Sequence, residues 1–377
     1  MTLITYLNRV HFADGVLEEA LRAELELREK RRPLIVAEMR DLDGALAERF
    51  FSSFPIRTSA EAFATVPGIA TEAAAMRIAQ IYHETGRDTL VAFGAARAID
   101  TAKIARVAIA YDEPLAALSN AEGGTRRIGD RLPDLYAVPG IGGFASAVSD
   151  YARAKLNNGG QVLLSSRNLL PTVTICDPTL TLGSSAAAGA SAASGTMSRG
   201  IESYLSRGFN PPADGLALDG LGRTVRHMAR ALEEDDLGAR REMMAGSLNT
   251  ALSLQKGHCA IHAITNALAS VSGHAIDPCA VGRLLLPGVL RHYAGAMQRK
   301  AAPLRMALGL GESADLSDGV AAILADLPLP DTLGDMGLSA ADLAAAAETA
   351  ARDRATDAGP RPLGAEDLHA MLAAVHR

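Results

Sequence analysis

The ten residues Gly94-Ala-Ala-Arg-Ala-Ile-Asp-Thr-Ala-Lys103 carry the strongest chemical signal in the chain. They follow the apolar run Thr89-Leu-Val-Ala-Phe93, so the order is strand, glycine turn, helix. A helix start behind such a turn offers backbone N–H groups and a positive dipole end to a phosphate. Asp100 and Lys103 lie three residues apart and share one helix face. Arg97 adds a guanidinium suited to charge-assisted contacts with phosphate oxygens. The bland alternative is a plain helix start packed on a sheet. A second glycine-rich turn, Gly140-Ile-Gly-Gly-Phe-Ala-Ser146, comes later. A third group is His258 and His262, four residues apart, which a helix would place on one face. With His274, Asp277 and Cys279 in a following loop, two histidines and a third ligand would suit zinc. Histidines at that spacing also occur on ordinary helix faces.

These residues need elements to hold them, and the first half of the chain alternates short apolar runs with helical spacing. Pro33–Ala37, Ala62–Val66, Thr89–Phe93, Asp134–Val138 and Thr172–Cys176 read as strands. Leu42–Phe51, Thr71–Thr85 and Ile99–Tyr111 read as helices. Strands alternating with helices predict a parallel, doubly wound sheet. After Gly183 the strand signals stop, and alanine- and leucine-rich runs predict helices, among them Gly215–Glu233, Ala239–Leu268 and Ala340–Arg352. The boundary is placed near Leu182.

Glycine turn and order of elements together resemble a known family. Gly94–Lys103 is similar to the Gly-Gly-Gly-Ser-x-x-Asp-x-Ala-Lys motif of the iron-containing (group III) alcohol dehydrogenases. Ala95, Ala96 and Arg97 stand in place of Gly, Gly and Ser. Tyr136–Ser146 resembles the family's Ile-Pro-Thr-Thr-Ala-Gly-Thr-Gly-Ser, matching at Pro139, Gly143 and Ser146. Asp177-Pro-Thr-Leu-Thr181 matches Asp-Pro-x-Leu-Thr. Ala192–Gly195, Ile201–Tyr204, Gly257–Leu268 and Leu284–Pro287 follow in the family's order. The likeness runs from about Tyr6 to His292 and includes the maleylacetate reductase branch.

The resemblance implies an α/β Rossmann-like domain over residues 1–182 and an all-α domain over residues 183–377, the dehydroquinate synthase-like architecture. It implies that Gly94, Ala95, Ala96, Arg97, Asp100 and Lys103 bind a dinucleotide, with Gly140, Gly143 and Ser146 touching the same cofactor. Glu38 matches a position that often carries an acid. A carboxylate there accepts ribose hydroxyls and repels a 2′-phosphate, favouring NAD over NADP.

Relatives hold iron or zinc with one Asp and three His. Here Gly195-Thr-Met-Ser-Arg-Gly-Ile-Glu202 lacks the Asp and puts Arg199 at the first His. Asp277-Pro-Cys-Ala280 lacks the last His, and Asn266 replaces a further His common in relatives. By position one ligand, His262, remains, and a guanidinium cannot ligate a cation. No catalytic metal is therefore expected, with His258, His262 and His274 the candidate substitutes. In the family the metal polarises the substrate oxygen. Without it, Arg199 is the candidate electrophile for an alkoxide or a carboxylate. His262 is the candidate proton donor or acceptor, with His258 the second choice. The alternative for Arg199 is a salt bridge, with Glu202 as one partner.

The expected function is an NAD(P)-dependent oxidoreductase acting on an alcohol, aldehyde or keto acid, with natural-product or peptide tailoring included. The alternative is a non-catalytic relative that serves as a binding or scaffold subunit. Composition narrows the field further. At 377 residues the chain exceeds one ordinary core. Its formal charge of -6, with no basic block, argues against nucleic acid. Three cysteines without Cys-x-x-Cys spacing suggest a reducing cytoplasm. No signal peptide or membrane span is read. Leu3–Val10 is a candidate strand for pairing with a second subunit, so a homodimer is expected.

Overall fold

The computed structural model describes the chain apart from residues 1–3, 5, 7–8, 66–68 and 273, and apart from the side chain of residue 298. It forms two compact units, Tyr6–Leu182 and Gly183–Arg377.

In the first unit the elements are β1 (Val10–Phe12), α1 (Leu17–Leu27), β2 (Pro33–Glu38), α2 (Gly44–Ser52), β3 (Glu61–Thr65), α3 (Glu72–Glu84), β4 (Thr89–Gly94) and α4 (Ala96–Ala110). They continue with β5 (Leu135–Pro139), α5 (Phe144–Val148), β6 (Tyr151–Lys155), β7 (Gln161–Ser165) and β8 (Val173–Cys176). Six strands pair in the order β1-β8-β5-β4-β2-β3, and every pairing is parallel. A parallel sheet needs cover on both faces, which explains why its central strands are apolar throughout. Leu34, Val36, Leu90, Ala92, Leu135 and Ala137 form one core with residues of α3 and α4. Their neighbours Ile35, Ala37, Val91, Phe93, Tyr136 and Val138 form another with α1 and α2. The period of two thus sorts each strand between two cores. Each large apolar side chain buried this way contributes about 1.5–3 kcal/mol.

Most expected strands and helices match the structure within two residues. Helix α4 starts three residues earlier than the Ile99 expected. Val66 of the third expected strand lies outside the described residues. Strands β6 and β7 form an antiparallel hairpin that was not expected, with Tyr151 opposite Ser165 and Lys155 opposite Gln161. Alternating burial along both strands and the turn residues Asn157-Asn158-Gly159-Gly160 were its signal. Of the segment expected to pair with a second subunit, Leu3, Thr5, Leu7 and Asn8 lie outside the described residues. Val10 opens β1, which pairs with β8 of the same chain.

Asp177, just past β8, explains the Asp-Pro-x-Leu-Thr motif structurally. Its Oδ1 accepts hydrogen bonds from the Gly15 and Thr179 N–H groups at 2.8 and 3.0 Å. Its Oδ2 accepts from Leu17 N–H at 3.2 Å and Arg49 Nη2 at 2.8 Å. Burial pushes this carboxyl up, but the bonds from Thr179, Gly15 and Leu17 outweigh it and hold Asp177 below the usual carboxylate range.

The second unit is helical over its described residues. Its helices are α6 (Ala186–Leu205), α7 (Pro211–Glu233), α8 (Leu237–Ser253), α9 (Ala260–Val271), α10 (Pro278–Tyr293), α11 (Gln298–Ala307), α12 (Leu316–Ala325), α13 (Ala340–Ala350) and α14 (Ala365–Ala374). The single helix expected over Ala239–Leu268 is two, α8 and α9. They part at Gly257, whose φ of 138° no helix accommodates. Lys256 fixes the break by donating to Tyr204 O at 2.7 Å and pairing with Asp214. No described helix is long and apolar enough to cross a membrane.

Candidate functional site

The first part of the site is the end of β4. Gly94 has φ 103°, a conformation L side chains rarely adopt. A Cβ added to it would lie 2.2 Å from Asp41 Oδ2. Glycine is therefore required, as the turn motif implies. Helix α4 follows at once, and its N-cap, Ala95, makes no side-chain cap hydrogen bond. Helices α3, α6, α7 and α8 are all capped by their own Thr, Ser, Asn or Asp side chains. The open start of α4 leaves first-turn N–H groups for an anion.

Two carboxylates border this turn. Glu38 ends β2 and is buried. Its Oε2 is 3.1 Å from Arg40 Nε, and its Oε1 is 3.6 Å from Arg97 Nη2. Arg97, expected on phosphate, thus has an ion pair with Glu38. Neither Glu38 Oε1 nor Asp41 Oδ2 has a hydrogen-bond donor, although both atoms are buried. Burial and the charge of Glu38 raise the Asp41 carboxyl above its ordinary range. Asp41 was not among the expected site residues. Its signal was position, three residues past an acid that ends a strand.

Asp100, Lys103 and Ser146, expected at the cofactor, are bonded to protein groups. Lys103 is fully buried, and its Nζ donates to Ser149 O at 2.6 Å, Ser149 Oγ at 2.9 Å and Tyr151 O at 3.2 Å. Its bonds end on oxygens at the junction of α5 and β6. Asp100 hydrogen-bonds Ser146, and burial, offset in part by Lys103, raises its carboxyl to about 6. Gly140 N–H donates to Gly94 O at 2.9 Å. Gly143 packs so closely that a Cβ there would lie 2.4 Å from the same oxygen. These residues bind the second glycine-rich turn to the first. They position the cradle in which Gly94, Ala95 and Ala96 present backbone.

The residues present fit a dinucleotide. An uncapped helix start suits its phosphate, and two donorless buried carboxylate oxygens suit ribose hydroxyls.

The second group lies in the helical unit. His262 is in the first turn of α9, whereas His258 lies ahead of that helix and not on it. Their rings still stack, with centroids 3.9 Å apart. His274 is elsewhere: its Nε2 is 2.8 Å from Met336 O. Among the described residues no group of three or more His, Cys, Asp or Glu is placed to hold a metal.

Arg199, on α6, reaches Thr196 Oγ1 at 3.3 Å and Ser247 Oγ at 3.2 Å. The alternative in which it pairs with Glu202 is not seen. Glu202 instead turns both oxygens to α9, accepting from Ile261 N–H at 2.6 Å and His262 N–H at 3.3 Å. Burial pushes the Glu202 carboxyl up to about 8, against those hydrogen bonds. Cys279 lies beside Arg199, and burial pushes its thiol up to about 11. The space at residue 195 is closed. A Cβ on Gly195 would meet Cys279 Sγ at 2.5 Å and Arg199 Nη1 at 2.9 Å. A guanidinium and a neutral thiol are poor company for a divalent cation. The donor set does not fit a metal.

Comparison with known proteins finds matches over both units of the chain. The model of the family described as iron-containing alcohol dehydrogenase matches residues 8–178, and that of its C-terminal region matches residues 191–376. The chain is 32% identical to 4-hydroxybutyrate dehydrogenase of Cupriavidus necator, over 99% of both chains. It is 26% identical to 1,3-propanediol dehydrogenase of Citrobacter freundii, over 75% of this chain and 74% of that protein. Among solved structures, a 1,3-propanediol oxidoreductase superposes with a TM-score of 0.90 at 20% identity, covering 99% of this chain and 100% of that one. A sulfoacetaldehyde reductase from Bifidobacterium kashiwanohense, in complex with NAD+, gives 0.88 at 19% identity, covering 100% and 98%.

Proposed function

The chain belongs to the iron-containing alcohol dehydrogenase family, an oxidoreductase family for alcohol-type substrates, and from that membership we propose an NAD-preferring dehydrogenase that interconverts a short ω-hydroxy acid and its semialdehyde. The observation that carries the cofactor half is the pair of donorless oxygens, Glu38 Oε1 and Asp41 Oδ2, beside the Gly94 turn. Ribose hydroxyls are donors that complete them, and two acids at that place oppose a 2′-phosphate. The full-length likeness to 4-hydroxybutyrate dehydrogenase supports the substrate half.

In such a reaction the alcohol carbon gives a hydride to the nicotinamide, which is the chemistry the bound cofactor supplies. The hydroxyl proton needs a base, and His262, with His258 stacked on it, is our candidate. Oxidation of 4-hydroxybutyrate then yields 4-oxobutanoate, NADH and one proton.

The test is direct. NADH should bind with quenching or enhancement of nicotinamide fluorescence, more tightly than NADPH, and NADH should be consumed with 4-oxobutanoate. Binding of neither dinucleotide would overturn the reading and leave a non-catalytic relative.

A further inference from the structure

Arg199 is a cation held only by neutral groups. It reaches the hydroxyls of Thr196 and Ser247 and lies beside the thiol of Cys279. Its Nε is buried and has no acceptor. No carboxylate comes within ion-pair distance of it among the described residues, whereas Arg49, Arg223, Arg240 and Arg283 all have one. A partly buried guanidinium left so is an incomplete anion site. Glu202, one turn along α6, is the natural partner by spacing, yet it is committed to the backbone of α9.

Closure around residue 195 adds the second half of the argument. The guanidinium and the Cys279 thiol occupy the volume that a side chain at 195 would enter. An aspartate there would have to displace both. A resident cation therefore lies against position 195, and that position carries no acid that would attract a second one.

We propose that Arg199 replaces the divalent metal as a built-in cation, binding an anionic oxygen of the substrate. The inference rests on the dehydrogenase reading for its substrate, while its metal half stands apart from that reading. The anionic oxygen is either the carboxylate of an ω-hydroxy acid or the alkoxide at the reacting carbon.

The experiment uses the full chain. After dialysis against a chelator, Co2+ titration followed by visible absorption should show no ligand-field bands and metal well below one ion per chain. Stoichiometric Co2+ with such bands would overturn the proposal whether or not NADH binds. Succinate carries an anionic oxygen at either end, so calorimetry should detect it on the wild type and lose it in Arg199→Met. Retained binding in the variant, or none to the wild type, would overturn the anion half. In turnover, Arg199→Met should lower kcat/KM about a hundredfold or more, with melting temperature and NADH affinity kept. Arg199→Lys should recover part of the loss. A drop confined to 4-hydroxybutyrate and seen in KM assigns the carboxylate. A drop in kcat for both 4-hydroxybutyrate and 1,4-butanediol assigns the alkoxide. Unchanged turnover of both sinks the proposal. Failure of NADH to bind the wild type sinks the dehydrogenase reading instead, and the cobalt and succinate results still decide this one.

Discussion

Glu202 Oε1 lies 2.6 Å from the backbone nitrogen of Ile261, 59 residues further along the chain. A carboxylate on α6 thereby caps α9, which makes no side-chain cap hydrogen bond at its own N-cap, Cys259. Removing it in Glu202→Ala leaves buried N–H groups without acceptors and should cost about 1–3 kcal/mol. The pH dependence follows from its raised value, about 8, due first to burial. Between the ordinary glutamate value and 8 the folded chain binds the extra proton, so stability falls as pH rises through that window. Glu202→Gln keeps an acceptor and does not titrate. Urea unfolding at pH 5, 6.5 and 8 should show the wild type losing stability relative to Glu202→Gln. Parallel curves would refute the linkage.

Arg49 and Asp177 should behave as a buried acid and its half-buried partner. Arg49→Met removes one of the bonds to Asp177 Oδ2, but several others remain. Breaking a fully buried pair costs about 3–5 kcal/mol, and solvent at Arg49 reduces this to about 2 kcal/mol. Because the folded value of Asp177 is depressed, its contribution is present above the unfolded carboxyl value and disappears as pH falls through the folded one. Asp177→Asn should therefore be less stable at neutral pH and show a shallower acid decline, measured by circular dichroism.

Lys103 separates a positioning role from a contact with cofactor. Lys103→Met removes the ammonium donor to Ser149 O and Tyr151 O, the latter keeping the bond from Ser149 Oγ, and should cost about 1–3 kcal/mol. NADH affinity, measured below the lowered melting temperature, should hold. A tenfold weakening, about 1.4 kcal/mol, would mean that the ammonium reaches the phosphates after all.

Glu38 should decide between cofactors. Glu38→Ser removes one of the two acids beside the Gly94 turn, and on the proposed reading the NADH-to-NADPH affinity ratio should fall tenfold or more, about 1.4 kcal/mol. An unchanged ratio, by fluorescence titration of both cofactors, would show that discrimination lies elsewhere.

The sheet was legible because its strands are buried on both faces and read as unbroken apolar runs between turn residues, as in Thr89–Phe93. The β6–β7 hairpin was less legible, since small alanines at 152 and 154 carry its buried face. The division of α8 from α9 was hidden because Lys256 and Gly257 sit between two apolar stretches, and their meaning depends on Tyr204 and Asp214. The glycine cradle was visible as a motif, but the role of Lys103 was not, because its acceptors lie more than forty residues away. The same holds for Glu202. A cap supplied from a distant helix leaves no local trace, and the uncapped start of α9 looks like an ordinary helix entry.

Strand β1 has one sheet neighbour, β8, and Gly15 just after it bonds to Asp177, 162 residues away. During synthesis at about 5–20 residues per second, β1 would wait roughly 10–30 s for that partner to be made. Four of the five pairings in the sheet do not involve β1 and have shorter spans to close. The first described strand in chain order is thus among the last to find its place in the sheet. Amino-terminal fusions and tags should for that reason disturb the yield of folded protein more than carboxy-terminal ones, through the time β1 spends unpaired.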